Sequence, residues 1–306
     1  MNLISHDIKI GQRRVVVSIC QSGPSSPTLI IGPAMGVKSS FYHPIAEYFY
    51  DRDFNCVLVD YHGMFFESNN PSPSDIASFG KIDLMHVIQY CRDELRAKDL
   101  FFLGHSISGQ ILPLAENANE FSAAYLVASQ SVDRTNWSGR SRLAVDFFWN
   151  VLIPLSTAIF HYLPAWTYGG KRHLAKSVAR DWARLAKTSG GLAEDNAYNG
   201  SRYKAYNVPT KFVSIDGDDL LAPKKAVSDL YQRYGSTAKT IRHVGSDSTS
   251  RGSIDHFNFF RTHNSELWSD IHHWFNSAAL IDYDVPDETS RKTSLGFFHS
   301  SSEKSI

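Results

Sequence analysis

The stretch Leu100-Phe101-Phe102-Leu103-Gly104-His105-Ser106-Ile107-Ser108-Gly109 passes from a short apolar block, through a serine flanked by small residues, into apolar spacing at Ile107, Ile111 and Leu114. The block predicts a strand buried on both faces, and the spacing predicts a helix. A serine on so sharp a strand-to-helix turn is held in a strained backbone conformation. Its Oγ is then exposed at the carboxyl edge of a sheet, provided that the residues two before and two after it are small. Gly104 and Ser108 meet that need, although Ser108 departs from the glycine usual at the second position. The first backbone N–H of the helix, at Ile107, would point at a developing oxyanion. Taken alone, the motif fits a tight structural turn equally well, so its partners have to be found.

Outward from this turn, strands and helices alternate. Apolar runs at 14–20, 27–32, 54–60 and 123–128 read as strands, with helical patterns at 41–49 and 80–96. The rhythm breaks at 131–206, too long for an ordinary connection and too apolar for a linker. It resumes with strands at 210–215 and 240–244 and helices near 223–234 and 264–276. This order predicts an α/β fold with a mostly parallel central sheet flanked by helices. Residues 1–130 and 207–280 form its core, 131–206 an inserted helical cap after strand 6, and 281–306, rich in Ser, Lys, Glu and Asp, a flexible tail.

A nucleophilic serine needs a base, and the base needs an acid that holds its tautomer. In this topology both lie downstream, on loops after later strands, in the order serine, acid, histidine. Strand 210–215 runs into Asp216-Gly217-Asp218-Asp219-Leu220-Leu221-Ala222-Pro223, and strand 240–244 leads through a Gly/Ser-rich loop to Asp255-His256. His256 is the expected base. Asp219, four residues before a proline that can start a helix, is the expected acid, with Asp218 as its rival. Among the other histidines, His105 is expected to pack, His243 lies within a strand, and His272 and His273 sit on a helix. The His and Asp spacings match no metal motif, so no metal and no cofactor are expected.

Composition narrows the alternatives. With 31 basic and 31 acidic side chains in 306 residues, the chain has no net charge and no global field for nucleic acid. Three cysteines without a C-x-x-C spacing read as buried free thiols. The first residues reach charge without an apolar core segment, so no secretory leader is expected and the predicted setting is cytoplasmic.

Together these residues resemble the α/β-hydrolase superfamily, and within it the bacterial predicted α/β hydrolases related to serine esterases and lysophospholipase-like enzymes. The resemblance spans about residues 8–277. It rests on Gly32-Pro33-Ala34-Met35-Gly36-Val37, Asp60-Tyr61-His62-Gly63-Met64 with Glu67-Ser68, the turn at 104–109, Gly217-Asp218-Asp219 with Pro223, and His256-Phe257-Asn258-Phe259-Phe260-Arg261. His62 stands where arginine is usual. The resemblance implies a Ser106–Asp219–His256 triad and a second oxyanion donor at Ala34, with Met35 as the alternative. The expected function is a serine hydrolase cleaving the ester of an apolar acyl substrate. Acyl transfer or thioester hydrolysis by the same triad is the near alternative, and a non-catalytic binding scaffold the distant one.

The inserted segment carries two further signals. Residues 147–163 are almost continuously apolar but hold Asn150, Pro154 and His161, which predicts buried cap helices rather than a membrane span. Arg172, Lys176, Arg180 and Arg184 recur every four residues opposite Leu174, Val178, Trp182 and Leu185. They read as a basic amphipathic helix with a solvated face, or one that touches an anionic substrate or a membrane surface.

Overall fold

The computed structural model describes residues 1–68, 74–195, 200–249 and 254–282. Ten strands form in chain order: β1 (Ile4–Ile10), β2 (Arg13–Cys20), β3 (Thr28–Gly32), β4 (Asn55–Asp60), β5 (Leu100–His105), β6 (Ala123–Val127), β7 (Tyr162–Leu163), β8 (Leu174–Ala175), β9 (Thr210–Ile215) and β10 (Lys239–Val244). Eight of them make one sheet in the order β1-β2-β4-β3-β5-β6-β9-β10. β1 pairs antiparallel with β2 and β2 with β4, whereas β4, β3, β5, β6, β9 and β10 are mutually parallel.

The central strands have no polar face because helices cover both sides. Ile30, Phe102, Leu126 and Phe212 point into one core. Their chain neighbours Leu29, Phe101, Tyr125 and Val213 point into the other. Period-two alternation thus divides wholly apolar strands between two cores. On the second side, helices His43–Tyr50 and Trp268–Asp282 lie over the sheet, with Phe49, Trp268 and Phe275 fully buried. The last helix begins four residues later than the sequence pattern implies and runs beyond 276. Residues 281 and 282 therefore belong to it, and the rest of the predicted tail, 283–306, lies outside the described residues.

Between β6 and β9 the chain forms helix Gly139–Phe147, a π turn Phe148–Leu152, helix Ile153–Ile159, the β7–β8 hairpin and helix Lys176–Leu185. The Met64 carbonyl accepts from the Ala175 amide at 3.0 Å, and the Phe66 amide donates to His173 at 2.9 Å, tying the hairpin to the loop after β4. Two expectations are corrected here. The apolar run 147–163 is mostly not buried: Trp149, Ile153 and Leu163 pack inward, while Phe147, Val151, Leu155, Ile159 and Phe160 face outward. The hydrophobic pattern has two apolar stripes, and one core can cover only one of them. The basic series also does not lie on one helix. Arg172 belongs to the hairpin, Arg184 pairs with Asp181 and Asp195, and Arg180 donates to Thr157 at 3.1 Å.

Candidate active site

β5 ends at the middle of the sheet, beside β3 on one side and β6 on the other, where consecutive connections leave in opposite directions. Such a switch point opens a crevice at the carboxyl edge of a parallel sheet. Ser106 stands there with φ 54° and ψ −110°, a conformation that costs a non-glycine residue about 1–3 kcal/mol. The surroundings enforce it. The Ser106 amide donates to Val127 of β6 at 3.0 Å, and its carbonyl accepts from Gly109 at 3.2 Å. A Cβ on Gly104 would come within 2.8 Å of Leu126, and one on Gly109 within 2.4 Å of the Ser129 hydroxyl. Tyr203 and Tyr234 donate to the carbonyls of Gln110 and Gly109, which anchors the short helix Ile107–Ile111 from behind.

Ser108, the departure from glycine, acts as a strut. Its Oγ donates to the Pro33 carbonyl at 2.6 Å and lies 3.1 Å from the Tyr61 hydroxyl, joining the serine turn to the loop after β3. That loop is fixed from the other side by Asp60, which accepts from the Ser39 amide and hydroxyl, each at 2.8 Å. His62 is likewise accommodated. Its amide donates to Asp83, and Arg13 on β2 supplies the guanidinium that pairs with Asp83 at 2.8 Å.

His256 Nδ1 lies 2.6 Å from Asp218 Oδ2, with both side chains buried. The other carboxylate oxygen of Asp218 accepts from the Ala222 amide at 3.1 Å, which fixes the carboxylate plane. This corrects the expected acid. Asp219 is exposed, because β9 stops at Ile215 and the left-handed turn at Gly217 swings Asp218 inward and its neighbour out. Asp255 shapes the histidine loop by accepting from the Phe257 and Asn258 amides at 2.8 and 2.7 Å.

The oxyanion expectation is also revised. The Ala34 amide already donates to the Tyr42 hydroxyl at 2.9 Å, so its hydrogen is committed. Met35, the alternative donor, has no backbone partner among the described residues, and the same is true of the Ile107 amide. Tyr42 in turn meets His105 Nδ1 at 2.8 Å. Tyr42 accepts from Ala34, so donating its own hydrogen to Nδ1 satisfies the buried phenol and leaves the His105 proton on Nε2. Burial, helped by the nearby His256, pushes the His105 pKa well below its ordinary value. Its ring lies 4.8 Å from that of His256, centroid to centroid, and its Nε2 makes no hydrogen bond of normal geometry among the described residues.

Ser106, His256, Ala34 and Met35 all line one cavity of about 540 Å³. Phe41, Tyr168, Trp182, Leu221 and Phe257 give it apolar walls, and Lys38, Lys171, Arg172 and Arg261 supply four cations with no carboxylate among its described lining residues. Gln130, on the loop after β6, also lines it, and its Oε1 is buried without a partner among the described residues. Gln130, Tyr42 and Lys171 carry no local motif and were not expected at the site, whereas Arg172 was expected as part of a basic series able to touch an anionic substrate. A second Ser–His–Asp chain exists, with His243 2.7 Å from Ser214 and 2.8 Å from Asp216. Ser214 is buried within β9 with regular strand geometry, so no substrate reaches it. Among the described residues no group of three His, Cys, Asp or Glu is placed to hold a metal.

No protein-family model matches the chain, and no curated protein does. Solved structures do resemble it. A soluble variant of monoglyceride lipase from Saccharomyces cerevisiae, in complex with a substrate analog, aligns at TM-score 0.65 over 91% of this chain and 95% of its own, at 12% identity. Est1E from Butyrivibrio proteoclasticus aligns at 0.59 over 90% and 99%, at 13% identity. The enol-lactonase from Burkholderia xenovorans aligns at 0.57 over 89% and 100%, at 14% identity. Strand order, the switch-point serine and these likenesses define the class: the chain has the α/β-hydrolase fold.

Proposed function

We propose that the protein is a serine hydrolase that cleaves a carboxylic ester of an apolar acyl substrate through Ser106, His256 and Asp218. The observation that carries this reading is the buried His256–Asp218 contact at 2.6 Å, beside a strained Ser106 that lines the same cavity. Asp218 holds the proton of His256 on Nδ1, which leaves Nε2 free to act as base. In the proposed reaction Nε2 takes the Ser106 hydroxyl proton as Oγ attacks the ester carbonyl. The oxyanion is met by the amides of Ile107 and Met35. As the tetrahedral intermediate collapses, the carbon–oxygen bond breaks and His256 passes the proton to the leaving alcohol. Water then repeats the sequence on the acyl-enzyme. Apolar walls suit an acyl chain and keep the oxyanion bonds in a medium of low polarity.

The four cations at the cavity favour a substrate that carries an anionic group near the ester. The same triad would serve a thioester or an acyl acceptor other than water. Labelling with a fluorophosphonate probe, followed by hydrolysis of p-nitrophenyl esters of graded chain length, tests the reading. It fails if the wild-type protein does not label, or if Ser106→Ala labels and turns over as the wild type does.

A further inference from the structure

Residues 139–159 form one continuous helical rod with two apolar faces. Val145, Trp149 and Ile153 bind the inner face into the core. The outer face is more unusual: Leu143 is 71% exposed, Phe147 58%, Leu155 55% and Ile159 60%, with Val151 between them. Spacing of four residues advances about 400° in an α-helix, so a stripe of this length would wind away around a regular rod. The π turn at Phe148–Leu152 advances less per residue and brings the stripe back into line. Polarity on the following turn is inverted relative to an ordinary surface helix, since Ser156 and Thr157 are buried while Leu155 and Ile159 face out.

The apolar face continues into the hairpin that lines the cavity. At its end Phe160 stacks on Tyr162 at 6.0 Å, and Tyr162 stacks on His173 at 4.3 Å. The hairpin tip presents Trp166, 70% exposed, and the next residues, Tyr168 to Arg172, border the cavity that holds Ser106. Cations flank the face at both ends: Arg140 before Leu143, and Lys171 with Arg172 beside Trp166. None of the three has an ion pair among the described residues. The one acid of the rod, Asp146, is held by Arg134 and Arg142.

We infer that this face docks on an anionic lipid surface, with the stripe and Trp166 sunk into the headgroup boundary, Arg140, Lys171 and Arg172 on the phosphates, and the cavity mouth toward the lipid. A stripe of large apolar side chains, an exposed indole and flanking cations are what an interfacial helix needs. A second copy of the chain is a poorer occupant. Antiparallel pairing across a twofold axis would set Arg140 against Lys171 and Arg172 of the partner, and parallel pairing would set each cation against itself, with the rod's one acid already held by Arg134 and Arg142. The inference goes beyond ester hydrolysis and holds whichever residue is the nucleophile, because its readout is binding.

The full chain is to be sedimented with vesicles of equimolar phosphatidylcholine and phosphatidylglycerol, and with phosphatidylcholine alone. Binding is expected to the mixed vesicles, weaker to the neutral ones, and to fall as salt is raised. The double variant Leu155→Glu/Ile159→Glu should bind the mixed vesicles at least about tenfold more weakly with an unchanged melting temperature, since both positions lie outside the core. The pair Lys171→Glu/Arg172→Glu should lose about tenfold on the mixed vesicles alone. Absence of binding by the wild type, equal binding to neutral vesicles, or an undiminished Leu155/Ile159 variant would overturn the inference. So would a wild-type dimer in light scattering that the Leu155/Ile159 variant dissociates.

Discussion

The floor of the cavity and the segment that borders it from above are built on opposite principles. On the floor, buried polar groups hold one another in place: Asp218 is bonded to His256 and Ala222, Ser108 to Pro33, and Tyr42 to Ala34 and His105. In the segment between β6 and β9, large apolar groups are exposed, and Arg140, Lys171 and Arg172 have no ion pair among the described residues. Burial of a polar group is tolerated only when its partner is fixed, which makes the floor rigid. Exposure of apolar groups costs little within the fold and leaves them available to a surface outside it.

The largest effect should come from the floor. Ser106→Ala or His256→Ala is expected to lower kcat on a short p-nitrophenyl ester by at least about 10⁴-fold. The neighbouring aspartates then separate two accounts of the same loop. Asp218→Asn should cost about 10⁴-fold in kcat, because the asparagine no longer holds the His256 tautomer. Asp219→Asn, on an exposed side chain, should stay within about twofold. A reversed order would return the acid to the position that the spacing from Pro223 suggests.

Stability should divide the apolar rod along its length. Ile153→Ala removes a fully buried side chain and should cost about 2–5 kcal/mol in urea unfolding, whereas Leu155→Ala, two residues on, should change it by less than about 0.5 kcal/mol. Equal losses would mean that both faces are packed, and the contrast drawn above would collapse.

The smallest expected effect is a pH dependence at His105. Burial keeps this imidazole neutral in the fold, while in the unfolded chain it gains a proton below its ordinary value of 6.5. The unfolded state therefore binds more protons as pH falls, and folding stability declines below about pH 6.5 by up to ~1.4 kcal/mol per pH unit. Asp83 acts oppositely. Burial raises its pKa to about 6, so protonation below that value favours the fold. The stability difference between wild type and His105→Asn cancels the Asp83 contribution, and it should narrow or change sign between pH 7 and 5. A difference that stays flat would remove the buried neutral histidine from the account.

Much of this was legible locally. Uninterrupted apolar runs bounded by turn residues located the parallel strands, because a strand covered on both faces has no polar alternation to confuse it. The Gly104–Ser106–Ser108 spacing located the serine turn, since only a small side chain fits at Gly104, where Leu126 presses against the backbone. The loops holding the acid and the base followed from strand order. What chain order could not resolve were matters of direction. One residue decides whether an aspartate after β9 points inward or outward, and that depends on where β9 stops and how Gly217 turns.

The same limit governs the loop after β3, where Tyr42 occupies the Ala34 amide through a contact that exists only once the helix His43–Tyr50 packs on the sheet. It governs the apolar run 147–163 as well. Sequence by itself established that the run is hydrophobic enough to be buried, and tertiary structure decided that most of it is not. Hydrophobicity is a property of the side chain, whereas burial needs a surface opposite, and the core offers one to Trp149 and Ile153 but none to Leu155 and Ile159.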